Sequence, residues 1–210
     1  MYKRQLSFPA ASPYVLVPQG AYDVRLVAAG AADCSAPTGS ATDIPALSAA
    51  NPVTLAVFGT PNASTPDTAL RIEGFVDDIS ATGSSAHVRL IDGSTRLANV
   101  ELGALTPTFT PILSGVRFGA SSAGNTMADA NGYATIDPIA GETVVVREIG
   151  GGGAASSMAT ATGVNLGGGS IVTFVVIDDT VTAGGGGRIV ECLDGAGTTA
   201  SQVGCQDISP

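Results

Sequence analysis

The sequence predicts an all-β protein of two tandem immunoglobulin-like antiparallel β-sandwich modules, of which the first lacks its opening strands. Three observations support this prediction: an internal repeat of long period, many short segments with strand-like alternation, and no segment with a helical apolar period. The chain has 210 residues, which is enough for two domains of about 100 residues each.

The repeat pairs two segments of the first half of the chain with two segments of the second half. Residues 12–30 resemble residues 131–150: each copy has a tyrosine before a short apolar run, then a proline, a glycine and a strand-like run with one arginine. Residues 71–77 resemble residues 188–194 in the same way. The positions that recur predict turn or structural roles for Tyr14, Gly20, Tyr133 and Gly141.

Short segments rich in β-branched residues, separated by Gly, Pro, Asn and Asp, predict the strands. The segments are Tyr14–Val17, Tyr22–Ala28, Val53–Phe58, Leu70–Val76, Ala86–Ile91, Arg96–Leu102, Thr108–Ile112, Val116–Phe118, Tyr133–Ile136, Thr143–Ile149, Met158–Val164, Ser170–Ile177 and Arg188–Leu193. Arg89 stands between the inward-facing Val88 and Leu90, which is the alternation of a sheet with one wet face. We therefore expect Arg89 on a solvated strand face and not in an anion site.

A shift to small and polar residues predicts the boundary between the modules. We assign residues 1–78 to the first module, 79–85 to a linker, and 86–210 to the second module with its disulfide-closed tail. Phe8 and its successors match Phe118 and its successors, so the first module begins partway through the pattern. The absent opening strands would leave backbone groups unpaired and part of a core exposed, and either preceding residues or another chain would supply them.

The charge of the chain limits its partners. A formal net charge of −9 leaves no basic stripe for nucleic acid and disfavours an anionic membrane surface. No apolar stretch is long enough to span a bilayer, so we expect no membrane insertion within this chain. The N-terminal residues have no apolar core of a signal peptide, so a secretion signal would lie upstream. The partners that we expect are therefore other proteins or further copies of this chain.

The three cysteines predict one disulfide. Cys192 and Cys205 enclose a short polar, glycine-rich segment that closes easily in an oxidising compartment, so we favour a disulfide over two free thiols. Cys34 is left over, and it is either buried and inert or paired with a cysteine outside this chain. A zinc site is not expected, because the single histidine, His87, is distant in sequence from all three thiols.

No set of residues predicts catalysis, and we expect that the protein is not an enzyme. A serine nucleophile needs a base, and the only histidine, His87, falls within a predicted strand. The Gly-x-Ser-x-Gly motif of a nucleophile elbow is also absent from the sequence.

Aspartates at strand ends are weak candidates for a metal site. They are Asp77, Asp78, Asp178 and Asp179. Clustered oxygens at the ends of sandwiches bind Ca²⁺ in extracellular modules, but no EF-hand or aspartate-rich repeat is present here. We therefore expect solvated loop ends and no cofactor, with Ca²⁺ as the alternative.

The repeated unit resembles the domain-of-unknown-function family 4397, whose members are mostly secreted and cell-envelope proteins of bacteria. In the second copy the resembling residues are Ala86–Ile91, the turn at Phe118, Tyr133 with Pro138 and Gly141, and Ser170–Ile177; in the first copy they are Phe8, Tyr14 with Pro18 and Gly20, and Val53–Phe58. The residues from Asp92 to Thr95 depart from the His-Ala-Ser-Pro-like stretch that is usual in the family. The resemblance implies tandem β-sandwich modules outside the cytoplasm, and it transfers no catalytic residues.

These expectations favour a non-catalytic structural or interaction protein of a bacterial cell surface or extracellular assembly. In the specific version, a strand from a neighbour completes the first module by β-augmentation and the subunit polymerises. Two alternatives stay open: a carbohydrate- or peptide-binding adhesin module, with or without Ca²⁺, and an accessory domain of a larger secreted enzyme.

Overall fold

The structure is a computed structural model, and it describes residues 7, 12, 14–39, 42–47, 52–61, 63, 65, 68–80, 83–149, 158–179, 187–195 and 204–210. These residues form β-strands and no α-helix, which confirms the predicted all-β fold. The strands are β1 (Gly20–Val24), β2 (Thr42–Leu47), β3 (Val53–Phe58), β4 (Arg71–Val76), β5 (Ala86–Asp92), β6 (Val100–Leu105), β7 (Phe109–Val116), β8 (Tyr133–Ile136), β9 (Ile139–Glu148), β10 (Met158–Leu166), β11 (Ile171–Asp178), β12 (Gly187–Gly195) and β13 (Cys205–Asp207). None of the described residues belongs to a helix that could cross a bilayer.

The chain divides into two compact units, Met1–Asp77 and Asp78–Pro210, which we call unit 1 and unit 2. In unit 1, β1 pairs with β2 and β3 pairs with β4, both antiparallel. Residues directly opposite each other in such a pair share one face of the sheet. The face of β3 and β4 that holds Leu55, Val57 and Ile72 is therefore aliphatic, and the opposite face holds Thr54 and Phe75.

Unit 2 contains two sheets that share one core. The five-stranded sheet has the order β13-β12-β11-β5-β8, and the four-stranded sheet has the order β10-β9-β6-β7. All pairs are antiparallel except β5 with β11, which are parallel. Buried aliphatic side chains from both sheets form a single cluster, as in a β-sandwich. The predicted sandwich-like, all-β character of the chain is thus present in unit 2.

Arg89 is buried, so the predicted solvated position is wrong. Its neighbours Val88 and Leu90 do point into the core cluster, as the alternation requires. Arg89 points to the other face of the sheet, where its side chain is 0% exposed. The alternation correctly separated the two faces, but it does not show whether the second face is covered.

Most predicted strands have somewhat different bounds in the structure, and Val116–Phe118 is not a separate strand because β7 runs to Val116. The segment Tyr14–Val17 has no strand conformation. The predicted strand Arg96–Leu102 begins only at Val100, and the preceding Thr95 donates hydrogen bonds to the Asp178 carboxylate through its amide and its hydroxyl.

Two strands were not predicted. β2 contains Pro45, which argues against a strand because proline cannot donate to the ladder. β13 has three residues and is too short to produce a sequence signal. Phe8, whose match to Phe118 predicts where the first module begins, lies outside the described residues.

Candidate functional site

The repeat detected in the sequence corresponds to equivalent strand pairs in the two units. In unit 1, β3 and β4 pair with Phe58 opposite Arg71. In unit 2, β11 and β12 pair with Ile177 opposite Arg188. From there, each opposed residue pair of β3 and β4 corresponds to one opposed pair of β11 and β12. Thr54 therefore corresponds to Thr173 in the same strand position.

Four side chains on one face of the five-stranded sheet of unit 2 form a buried polar network. Asp194 Oδ2 accepts hydrogen bonds from the Tyr133 hydroxyl at 2.7 Å and from the Thr173 hydroxyl. Arg89 Nε donates to Thr173 Oγ1 at 2.9 Å, and Arg89 Nη2 lies 3.8 Å from Asp194 Oδ2. The guanidinium carbon lies 4.6 Å from the centroid of the Tyr133 ring. Arg89 and Asp194 thus form a buried ion pair, which is supported by hydrogen bonds from neighbouring side chains and by a cation–π contact.

The arrangement of a tyrosine, a threonine and an aspartate recurs in unit 1. Asp77 Oδ2 accepts hydrogen bonds from the Tyr14 hydroxyl at 2.7 Å and from the Thr54 hydroxyl at 2.9 Å. Asp77 is buried, and a buried carboxylate is costly unless donors surround it. We call the set Tyr14, Thr54 and Asp77 the unit 1 cluster, and the set Tyr133, Thr173 and Asp194 the unit 2 cluster.

The sequence identified only part of these clusters. Tyr14 and Tyr133 were predicted as structural positions from the repeat, and Asp77 only as a weak metal candidate. Thr54 and Thr173 were not singled out, although Tyr14 is as far from Tyr133 in the sequence as Thr54 is from Thr173. This equal spacing was the available signal, and it needed the register of the strands before its meaning was clear.

The aliphatic faces of the two equivalent strand pairs differ in their burial. Phe174 and Val176 of β11 are 1% and 0% exposed, because side chains of the four-stranded sheet complete the core cluster around them. The equivalent residues of β3, Leu55 and Val57, are 41% and 51% exposed. Leu55 and Val57 are therefore exposed where their counterparts in unit 2 are core, although Ile72 on the same face is buried.

The segment that carries Tyr14 also differs from its counterpart. In unit 2, Tyr133 begins β8, which lies at the edge of its sheet and pairs with β5 alone. In unit 1, Tyr14–Val17 is not a strand, and Leu16 is 97% exposed. Among the described strands of unit 1, none takes the position that β5 takes in unit 2, and none pairs with Tyr14–Val17.

Three of the four aspartates predicted as weak metal candidates accept hydrogen bonds, Asp77 within the unit 1 cluster. Asp178 accepts from the Ser94 hydroxyl at 2.5 Å and from Thr95, and Asp78 Oδ1 accepts from the Ser80 amide at 2.8 Å. Asp179 follows β11 and is partly buried. The described part of the chain holds no group of three His, Cys, Asp or Glu side chains placed to bind a metal ion.

One buried carboxylate has a strongly altered acidity. Asp92, at the end of β5, is fully buried, and this burial raises its pKa to about 7, with repulsion from Asp178 and Glu148 acting in the same direction. The Ser94 amide donates to its Oδ1 at 2.9 Å and opposes the shift. No described donor reaches Asp92 Oδ2. Sequence analysis did not identify this residue.

The cysteines and glycines that the sequence singled out have the following positions. Cys192 and Cys205 form a disulfide that joins β12 to β13, as predicted, and Cys34 is partly buried. Gly141 has a φ of +69° and is the extra residue of a bulge in β9, where its amide donates to the Asn165 side chain at 2.9 Å. Gly20 begins β1.

His87, the only histidine, lies in β5 with its Nδ1 3.8 Å from Asp78 Oδ2. That separation is too long for a hydrogen bond.

Comparison of the chain with models of protein families, with curated proteins and with solved structures found no match.

Proposed function

We propose that the protein is a non-catalytic structural or interaction protein of a bacterial cell surface or extracellular assembly, in which unit 1 is completed by a neighbouring molecule. The observation that carries the proposal is the exposure of Leu55 and Val57, whose equivalents Phe174 and Val176 form the core of unit 2. An exposed apolar sheet face of this kind marks an interaction site. The proposal includes two further points: the units are tandem immunoglobulin-like modules, and the repeated unit is related to family 4397.

Two further features support this proposal. The disulfide between Cys192 and Cys205 is of the kind that persists in oxidising compartments, outside the bacterial cytoplasm. Among the described strands β3 pairs with β4 alone, and an unpaired strand edge is a template for pairing with another chain because it displays free amide and carbonyl groups.

The test is the oligomeric state of the 210-residue chain, measured by light scattering over a wide range of concentration. We expect mass to rise with concentration, and we expect the L55D/V57D variant to remain monomeric because charges cannot enter an apolar interface. Leu105→Asp is the matched control, since Leu105 is 44% exposed but lies in unit 2. A monodisperse monomer at every concentration would refute self-assembly.

A further inference from the structure

We propose that Cys205 is a site of reversible modification by small-molecule thiols, with Cys192 as the leaving group that later restores the disulfide. Both cysteines lie in unit 2, so this reaction is independent of how unit 1 assembles. The disulfide then has two chemically different sulfurs, and its role goes beyond the stabilisation of β13.

The disulfide lies across the last two strands of the five-stranded sheet. Cys192 of β12 is directly opposite Cys205 of β13, and β12 lies between β11 and β13. A thiolate displaces a disulfide sulfur by approaching along the line of the S–S bond, from the side opposite the leaving sulfur. The two sulfurs therefore have opposite directions of approach, one from over β11 and the other from beyond β13.

The approach to Cys192 is closed by buried side chains. Thr173 of β11 is opposite Cys192 and is buried, and its hydroxyl donates to the buried Asp194. Cys192 is itself buried, in a small apolar cluster with Ile177 and Val190. An external thiol would have to displace these side chains before it could reach the Cys192 sulfur along the required line.

The approach to Cys205 comes from the edge of the sheet. β13 is the last strand in the sheet order, and no described strand pairs with it on the side away from β12. Cys205 is only partly buried, and its neighbours Gly204 and Gln206 are exposed. Because thiol–disulfide exchange follows the accessible sulfur, an external thiolate bonds to Cys205.

The exchange balances without an oxidant or a reductant. The external thiolate forms a bond to Cys205 Sγ while the bond between Cys205 Sγ and Cys192 Sγ breaks. The electron pair of the broken bond remains on Cys192 Sγ, which takes up a proton from solvent. One thiol is consumed and one is formed, so the products are a mixed disulfide at Cys205 and a thiol at Cys192.

Contacts of the C-terminal tail, residues Gly204–Pro210, make the exchange reversible. Gln206 Nε2 donates to the Glu191 carboxylate at 2.9 Å, and the Ile189 amide donates to Ser209 Oγ at 2.6 Å. Neither bond uses a sulfur, so both favour the paired position of the tail after the exchange. The thiol left on β12 then attacks the modified sulfur, expels the small thiol and restores the disulfide.

The direct test is mass spectrometry of the full 210-residue chain after a short exposure to cysteamine, a small thiol whose cationic amine suits the net charge of −9. Quenching and peptic digestion in acid stop further exchange, because acid removes the thiolate. We expect roughly tenfold more adduct on the peptide with Cys205 than on the peptide with Cys192, since access selects the sulfur. Equal adducts, an excess at Cys192, or no adduct on the folded chain would overturn the inference.

The matched control is the same chain in concentrated urea. Both sulfurs are then accessible, so we expect adducts at Cys192 and Cys205 in nearly equal amounts. The difference between the folded and unfolded chains measures how far the fold directs the reaction. If the unfolded chain shows the same preference for Cys205, the local sequence directs the reaction and the inference is wrong.

Cys192→Ser tests the second half of the proposal. An adduct placed on Cys205 of this variant with cystamine, the disulfide form of cysteamine, should persist after the reagent is removed. The adduct on the parent chain should instead be lost as the disulfide re-forms. Hydrogen exchange across β5 and β11 establishes that the variant is folded. Equal persistence of the adduct in the parent and in Cys192→Ser would overturn the role assigned to Cys192.

Discussion

Arg89 lies over the ring of Tyr133, with its guanidinium carbon 4.6 Å from the ring centroid, in a site that excludes solvent from both residues. The same guanidinium is 3.8 Å from the carboxylate of Asp194. Removal of either charge would leave the other buried without its counter-ion, and this dependence leads to the first prediction.

Arg89→Met should lower the unfolding free energy of unit 2 by about 3–5 kcal/mol, the usual loss when one partner of a buried ion pair is removed. Hydrogen exchange measured by mass spectrometry reports this for unit 2 separately from unit 1. The double variant R89M/D194L should regain part of the loss, because no buried charge remains unpaired. Arg25→Met, which breaks the exposed pair with Asp23, should change the unfolding free energy far less, because solvent screens that pair. A similar cost for both arginines would contradict this account.

Tyr133→Phe and Tyr14→Phe form a matched pair, because each removes a hydroxyl that donates to an aspartate at 2.7 Å. Tyr133 is buried, so its loss leaves a buried acceptor short of a donor and should cost about 1–3 kcal/mol. Tyr14 is partly exposed, and water can replace its hydroxyl, so we expect a loss below about 1 kcal/mol. Urea denaturation, combined with local hydrogen-exchange rates, measures the two losses of unfolding free energy. A larger loss for Tyr14→Phe than for Tyr133→Phe would contradict the explanation by burial.

The raised pKa of Asp92 predicts a pH dependence of stability. Since its folded-state pKa is about 7 and its ordinary value is 3.8, folded unit 2 holds one more proton than the unfolded chain between those pH values. Stability should therefore fall as pH rises through this window, by up to about 1.4 kcal/mol per pH unit from this residue. Asp92→Asn removes that slope and should be more stable than the parent above pH 7.

The control for the Asp92 variant is Asp137→Asn, which makes the same charge change at an exposed position after β8. Thermal melting across the pH range compares the three proteins. Parallel curves for the parent and Asp92→Asn would show that Asp92 is not the titrating group.

Reduction of the disulfide should loosen one edge of the five-stranded sheet. β13 pairs with β12 at three positions only, one of which is Cys192 opposite Cys205. The loop that the disulfide closes has a sequence separation of 13, which corresponds to about 3 kcal/mol of stabilisation. The C192S/C205S variant should show fast hydrogen exchange across β13 while β5 and β11 stay protected. Unchanged protection of β13 would mean that its side-chain contacts suffice.

Sequence reasoning succeeded where one local signal decided the outcome. Val53–Phe58 and Tyr133–Ile136 were predicted with the bounds that the structure gives, because β-branched alternation ends there at clear turn residues. Tyr14–Val17 has an equally good local pattern and is not a strand, because a strand needs a neighbour and local pattern cannot supply one. The burial of Arg89 likewise depends on residues far along the chain, so alternation alone could not predict it.

The pairing of β5 with β11 has a consequence for how unit 2 forms. Arg89 and Thr173 are 84 residues apart, and parallel pairing of such distant segments forms slowly because a large loop must close first. During synthesis from the N-terminus, β5 emerges long before Thr173 of β11 and Asp194 of β12, which contact its arginine in the folded unit. The core of unit 2 therefore closes only when its last strands have been synthesised.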